Sequence, residues 1–270
     1  MIPVFVVPVA TMPLCEDGFF LPQGMPSAQE ICTLKPTAWC PRLMLGDAKH
    51  ECIIWNKSWD NMSPEPMLVG ADLSSPTAPL VLKRMEAIVG KEKAAAIVEL
   101  YNISVDTSDR DTFSALERMT TDGMYSAIIY LNAHNLIDAN DSKTRVWAYH
   151  FDVPSPFDNA WKGLAHHSFD NVLIWGILRH MLSEAHQKAA DRMQRAWVQF
   201  ADGEEPWEEL SVQGRRMVFE LDYARVVAEN ENQGRAYKVW QELEAKGLMA
   251  DFAAVCEELC LRRQEIVTRR

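Results

Sequence analysis

Gly163-Leu-Ala-His-His-Ser-Phe-Asp-Asn-Val-Leu-Ile-Trp-Gly176 is the stretch on which the reading of this chain turns. A histidine pair, His166 and His167, is followed by Asp170 and then by the apolar run Val172 to Trp175, which ends at Gly176. The pair closes a loop, Pro154 to His167, that contains Pro, Asp, Asn and Gly. Before the loop, Arg145-Val-Trp-Ala-Tyr-His-Phe151 combines β-branched and aromatic residues and is bounded by Asp152, Pro154 and Pro156, which predicts a strand. A second stretch, Leu43-Met-Leu-Gly-Asp-Ala-Lys-His-Glu-Cys-Ile-Ile-Trp55, starts with a short apolar run ending at Gly46, consistent with a buried parallel strand. Glu51 follows it five places on.

Outward from these two stretches the pattern is mostly helical. Over Pro79 to Tyr101, Leu82, Met85, Val89, Ala96 and Leu100 recur at roughly helical spacing around a weak point at Gly90. Asp111 to Leu136 predicts one or two helices broken near Asp122-Gly123. Ser183 to Phe200 is amphipathic, with Ala189, Met193, Trp197 and Phe200 on one face and Gln187, Asp191 and Arg195 on the other. Gly203 and Pro206 end it. Helical patterns return over Tyr223 to Lys246, with a break near Gly234, and over Asp251 to Arg263. Residues 1–42 are rich in Pro and Gly and read as a surface loop with an extended start. Strands alternating with helices predict an α/β fold with a parallel sheet. Only two strands stand out, so the chain reads as part of a sheet.

Composition narrows the function classes. The formal net charge of -11 and the pI near 5.1 exclude the basic stripe that a nucleic-acid backbone needs, and Arg262-Arg263 with Arg269-Arg270 are too few to supply one. The six cysteines have no C-x-x-C spacing, so no metal site is implied. Cys256 and Cys260 share a helix face, and Cys15, Cys32 and Cys40 fall in the loop-rich region. Their even total permits disulfides, and the expectation is thiols. Met1 to Ala10 is apolar but no Lys or Arg precedes Lys35, so a basic leader region is missing. Two prolines there argue against a membrane helix. The chain as written is expected to be cytoplasmic and without membrane partners.

The His167 stretch resembles the segment that presents the catalytic histidine in type B carboxylesterases, the cholinesterase-like branch of the α/β-hydrolases. The Leu43–Trp55 stretch resembles the segment that presents the acid. Further landmarks fall in the family's order. Glu16-Asp-Gly-Phe-Phe-Leu-Pro22 resembles its D-G-x-F-x-P, Met119-Thr-Thr-Asp122 a helix start, and Val146 to Phe151 the strand before the histidine loop. Ala196-Trp-Val-Gln-Phe-Ala201 with Gly203 and Pro206 resembles a late helix end. The resemblance covers about residues 1–207, which read as a partial carboxylesterase type B domain. Residues 208–270 have no such counterpart and read as a helical C-terminal extension. The implied fold is the C-terminal part of an α/β-hydrolase sheet with many flanking helices.

The resemblance implies roles for two residues. His167 would take and return a proton as general base and then acid. Glu51 would fix its tautomer and stabilise the imidazolium. The offsets to Asp170 and Gly176 favour His167 over His166. Taken alone, a loop histidine or a surface glutamate is usually a spectator. The order acid then histidine fits the hydrolase order Ser…Asp/Glu…His. Cys52 stands where the family usually has glycine. The third triad member is missing, because neither Gly-x-Ser-x-Gly nor Gly-Gly occurs in the 270 residues. The nucleophile elbow and the oxyanion-hole loop are therefore expected in an N-terminal half outside this sequence. Ser168 adjoins the histidines but has no elbow to expose its hydroxyl, and without nucleophile and oxyanion hole most of the catalytic free energy is lost.

The expected function is that of a carboxylic ester hydrolase whose full-length form uses a Ser-His-Glu triad, with this chain supplying Glu and His. A small-molecule carboxylic ester would be the substrate, the missing N-terminal half the partner, and no cofactor or metal is implied. The alternative is a non-catalytic cholinesterase-like remnant serving as an interaction module. A third reading, a helical binding domain with a fortuitous resemblance, leaves the ordered landmarks unexplained. A half sheet exposes an unpaired edge, so the isolated chain is expected to be aggregation-prone and without esterase activity.

Overall fold

A computed structural model describes residues 41–53, 77–138, 144–159, 161–210, 214–231 and 234–260. The expected loop over 1–42, with Glu16–Pro22 and Cys15, Cys32 and Cys40, lies outside these residues except at its end. So do Trp55 and the arginines beyond 260.

Strand β1 (Arg42–Ala48) pairs in parallel with β2 (Arg145–Phe151), and Asp47 lies directly opposite His150. β2 pairs in parallel with β3 (Arg216–Phe219), which pairs antiparallel with β4 (Ala224–Val227). The sheet order is β1-β2-β3-β4. β2 is buried on both faces, as a parallel strand covered by helices must be. Its residues Trp147 and Phe151 enter one core, and Val146 and Ala148 enter another.

The crossover from β1 to β2 carries α1 (Ala78–Val89), α2 (Lys91–Leu100), α3 (Asp109–Thr121) and α4 (Ala127–Asp138). Gly90 separates α1 from α2 with a φ of 82°, a left-handed angle that suits glycine. Ser108 caps α3 by accepting from the Asp111 N–H at 3.2 Å. The break expected near Asp122-Gly123 is a π-helical turn, Asp122–Ser126, that joins α3 to α4. Such turns insert one residue into a helix and re-aim the side chains around it.

After β2 come the short α5 (Phe169–Ile174) and the long α6 (Glu184–Ala201), then, beyond β4, α7 (Tyr237–Ala245) and α8 (Met249–Leu259). α5 and α6 cover one sheet face through Phe169, Leu173 and Met193, packed with Trp147, Phe151, Trp207 and Phe219. A separate core joins α1–α4 to α7 and α8 through Met85, Ile97, Met119, Trp240 and Phe252.

Two expectations are corrected. Tyr223 to Lys246 is not helical throughout, because Ala224-Arg-Val-Val227 is a strand and regular α-helix starts only at Tyr237. The Glu220–Tyr223 turn, closed by the Glu220 N–H to Tyr223 carbonyl bond at 2.9 Å, folds this segment back on β3. Four-residue strands are too short to show alternation in sequence. Residues 208–270 are likewise not purely helical, since β3 and β4 continue the sheet past residue 207. Among the described residues no helix is long and apolar enough to cross a membrane.

Candidate active site

Glu51 and His167 sit just past the C-terminal ends of β1 and β2, the edge at which α/β sheets place their ligands. Sheet-like pairing continues beyond the strands to bring them together. The Lys49 N–H donates to the Phe151 carbonyl at 3.1 Å, the His50 N–H donates to the Ala165 carbonyl at 2.9 Å, and His50 forms a parallel bridge with His166. The residues after that bridge are Glu51 and His167. The loop carrying His167 is closed on itself by Ser155, whose N–H donates to Leu164 and whose carbonyl accepts from Gly163 at 2.8 Å.

The His167 Nδ1–H donates to Glu51 Oε2 at 2.6 Å. The other carboxylate oxygen, Oε1, accepts from the Ala48 N–H at 2.7 Å. Both oxygens are thus used, one by the strand end and one by the imidazole. The Glu51 side chain is 9% exposed and that of His167 25%. This asymmetry puts the carboxylate inside and the ring at the surface of the described structure. With Nδ1 committed to Glu51, proton exchange falls to Nε2. The arrangement can hold one tautomer and stabilise an imidazolium.

Around this pair, Cys52 is fully buried, and its N–H donates to Thr121 Oγ1 at 3.0 Å. The Cys52 Sγ lies 4.0 Å from the Cys260 Sγ. The Tyr125 ring tilts against the His167 ring with centroids 5.5 Å apart. Asp170, which follows in the same segment, accepts from the Tyr149 hydroxyl at 3.3 Å. Burial, and then the Glu51 charge, push the Asp170 carboxyl up from its ordinary value. Burial lowers His166, and His50 falls to about 4 through burial and the Lys49 and Arg235 charges. His166 Nδ1 bonds the His167 carbonyl at 2.9 Å instead of a carboxylate. Ser168 is exposed at a left-handed φ of 63°.

A family model described as the carboxylesterase family matches residues 7–245. The chain belongs to the carboxylesterase family. The match passes residue 207, where the visible resemblance ends, and takes in β3, β4 and α7. Among solved structures the fold is similar to a PNB esterase, with a TM-score of 0.54 at 16% identity over 81% of this chain and 42% of that one. It is also similar to a thermophilic PNB esterase, with a TM-score of 0.53 at 17% identity over 81% of this chain and 42% of that one. No curated protein matches. The chain thus spans less than half the length of these esterases.

Sequence reasoning missed a second carboxylate–imidazole pair in this carboxylesterase fold. Asp47 Oδ1 bonds His150 Nδ1, and His150 Nε2 bonds the Tyr237 hydroxyl. Asp47 Oδ2 accepts from Ser126 Oγ and from Arg235 Nε, the latter at 2.9 Å. Arg235 also lies 3.0 Å from Asp152 Oδ1, a charge contact without hydrogen-bond alignment. The signal that was available is limited to Asp47 next to the expected strand Leu43–Gly46 and His150 within the expected strand Arg145–Phe151; that they lie opposite each other comes from the structure.

Proposed function

We propose that the chain supplies the acid and the general base of a carboxylic ester hydrolase that works through a Ser-His-Glu triad. The observation that carries this reading is the 2.6 Å bond from His167 Nδ1 to Glu51 Oε2, with Oε1 anchored on the end of β1. His167 Nε2 takes the proton of a serine hydroxyl as it attacks the ester carbonyl, then returns it to the departing alcohol. Water repeats the cycle on the acyl-serine. Glu51 holds the imidazole in the required tautomer and stabilises its cation. The serine and the oxyanion-hole donors come from sequence outside these 270 residues, which contain no Gly-x-Ser-x-Gly. The substrate class is a small-molecule carboxylic ester.

Sequencing the native transcript upstream of the Met1 codon tests this reading. An open frame encoding Gly-x-Ser-x-Gly is the expected result. A stop codon close upstream would contradict it and favour an interaction module built on the same fold. The exposed apolar run of Trp175, Ile177, Leu178 and Met181, next to the histidine segment, is the observation that favours this second reading.

A further inference from the structure

The segments of the acid and of the histidine both contact one element. That element is the end of α3 with its π-helical turn, Asp122–Ser126. Thr121 Oγ1 accepts from the Cys52 N–H at 3.0 Å and donates to Glu117 Oε1 at 3.2 Å, so the residue after Glu51 is tied to the helix. Four residues on, Tyr125 lays its ring against His167.

The turn itself is pinned on three sides. Asp122 Oδ2 accepts from the Tyr101 hydroxyl at 2.9 Å. Ser126 Oγ bonds Asp47 on β1. Gly123 meets α8 so closely that a Cβ there would lie 2.4 Å from the Cys256 Sγ, which leaves the turn no room to shift toward α8.

We propose that Tyr125 is a positioning residue for the catalytic histidine, and that the π-helical turn exists in this fold to aim it. The proposal rests on the acid–histidine reading above. A hydrogen bond at Nδ1 sets the distance from His167 to Glu51 but leaves the ring able to rock about that bond. An aromatic ring packed at a 56° tilt restricts the rocking and keeps Nε2 on one line. In an uninterrupted helix, the residues after Asp122 would point about a third of a turn elsewhere. The same element that fixes the acid's turn through Thr121 thereby fixes the base through Tyr125.

The test is proton NMR of the 270-residue chain with ¹⁵N-labelled histidine. It follows the His167 Nδ1–H resonance, assigned by its absence in His167→Asn. In the parent the resonance is expected far downfield, and Glu51→Gln removes or moves it. Tyr125→Phe keeps its position and its exchange rate with water. Tyr125→Ala speeds that exchange by about tenfold or more, as loss of local protection does. Met124→Ala, a neighbour on the same turn that packs into the helical core, lowers the melting temperature and leaves the exchange rate unchanged. An exchange rate in Tyr125→Ala equal to the parent's overturns the positioning role, as does an equal acceleration in Met124→Ala. A resonance untouched by Glu51→Gln instead overturns the acid–histidine reading, and the positioning role falls with it.

Discussion

Two carboxylate–imidazole pairs lie on the same two chain segments, four residues apart on the acid side, and they are built for opposite ends. Asp47 and His150 face each other inside the sheet, and both nitrogens of His150 are taken, one by Asp47 and one by Tyr237. Burial would raise the Asp47 carboxyl, but Arg235 and His150 outweigh it and hold the group well below the usual carboxylate range. Burial lowers His150, opposed by Asp47 and aided by the Arg235 charge. Burial likewise pushes the Tyr237 phenol well above its ordinary value, which keeps it a donor. Every proton in that network has an owner. Glu51 and His167 have the same first contact, yet the ring is a quarter exposed and its Nδ1 alone is committed to the acid. A carboxylate–imidazole pair becomes a candidate catalyst when its ring reaches the surface of the described residues. Buried with both nitrogens bonded inside, it is a staple between strands and the α7 segment.

The sharpest way to break this contrast is Asp47→Ala. It leaves Arg235 and His150 without their main partner in the interior, and such a loss costs about 3–5 kcal/mol. Urea unfolding of parent and variant measures it. A cost below that of a surface substitution would mean that the buried pair is no staple.

Gly123→Ala strikes the turn that touches both pairs. The added methyl collides with the Cys256 side chain, so the variant loses about 1–3 kcal/mol by overpacking. Adding Cys256→Ala restores part of it, because the two sites share one space. A strictly additive double variant would contradict the contact.

Glu117→Gln sharpens the contrast through pH. Burial pushes the Glu117 carboxyl from 4.5 up to about 7. A folded pKa above the unfolded one gives stability that is fully present below the unfolded value and lost as pH rises to the folded value. At pH 8 the glutamine variant should therefore resist urea better than the parent, by on the order of 2 kcal/mol, with the difference vanishing toward pH 4.5. A difference that does not change with pH would refute the shift.

Glu51→Gln should have the smallest effect on folding, about 1 kcal/mol, since one charge-assisted bond is replaced by a neutral one to a ring that is a quarter exposed. A loss as large as that of Asp47→Ala would erase the distinction between the two pairs.

The sequence made one pair legible and hid the other for a physical reason. Glu51 and His167 were found because their neighbours, Gly46, Asp170 and Gly176, keep a recognisable spacing. Asp47 and His150 sit at alternating strand positions, where a polar residue usually faces water, and Arg235 joins them from a segment read as a helix break. Such a network exists only once the register of β1 on β2 is set. The helices around Met85, Met119 and Met193 were legible from periodicity, and the break at Asp122-Gly123 was visible as a position. That it is a π-helical turn follows from packing against α8, Tyr101 and Asp47, none of which is local. β3 and β4 were lost because four residues carry no period.

The central claim is that this chain holds an acid and a base for ester hydrolysis but not the nucleophile. Turnover of a simple aryl ester by the purified 270-residue chain, run beside His167→Ala, tests it most directly. The account predicts no turnover above the variant's. Turnover that disappears with His167→Ala would contradict it and place a nucleophile within these residues.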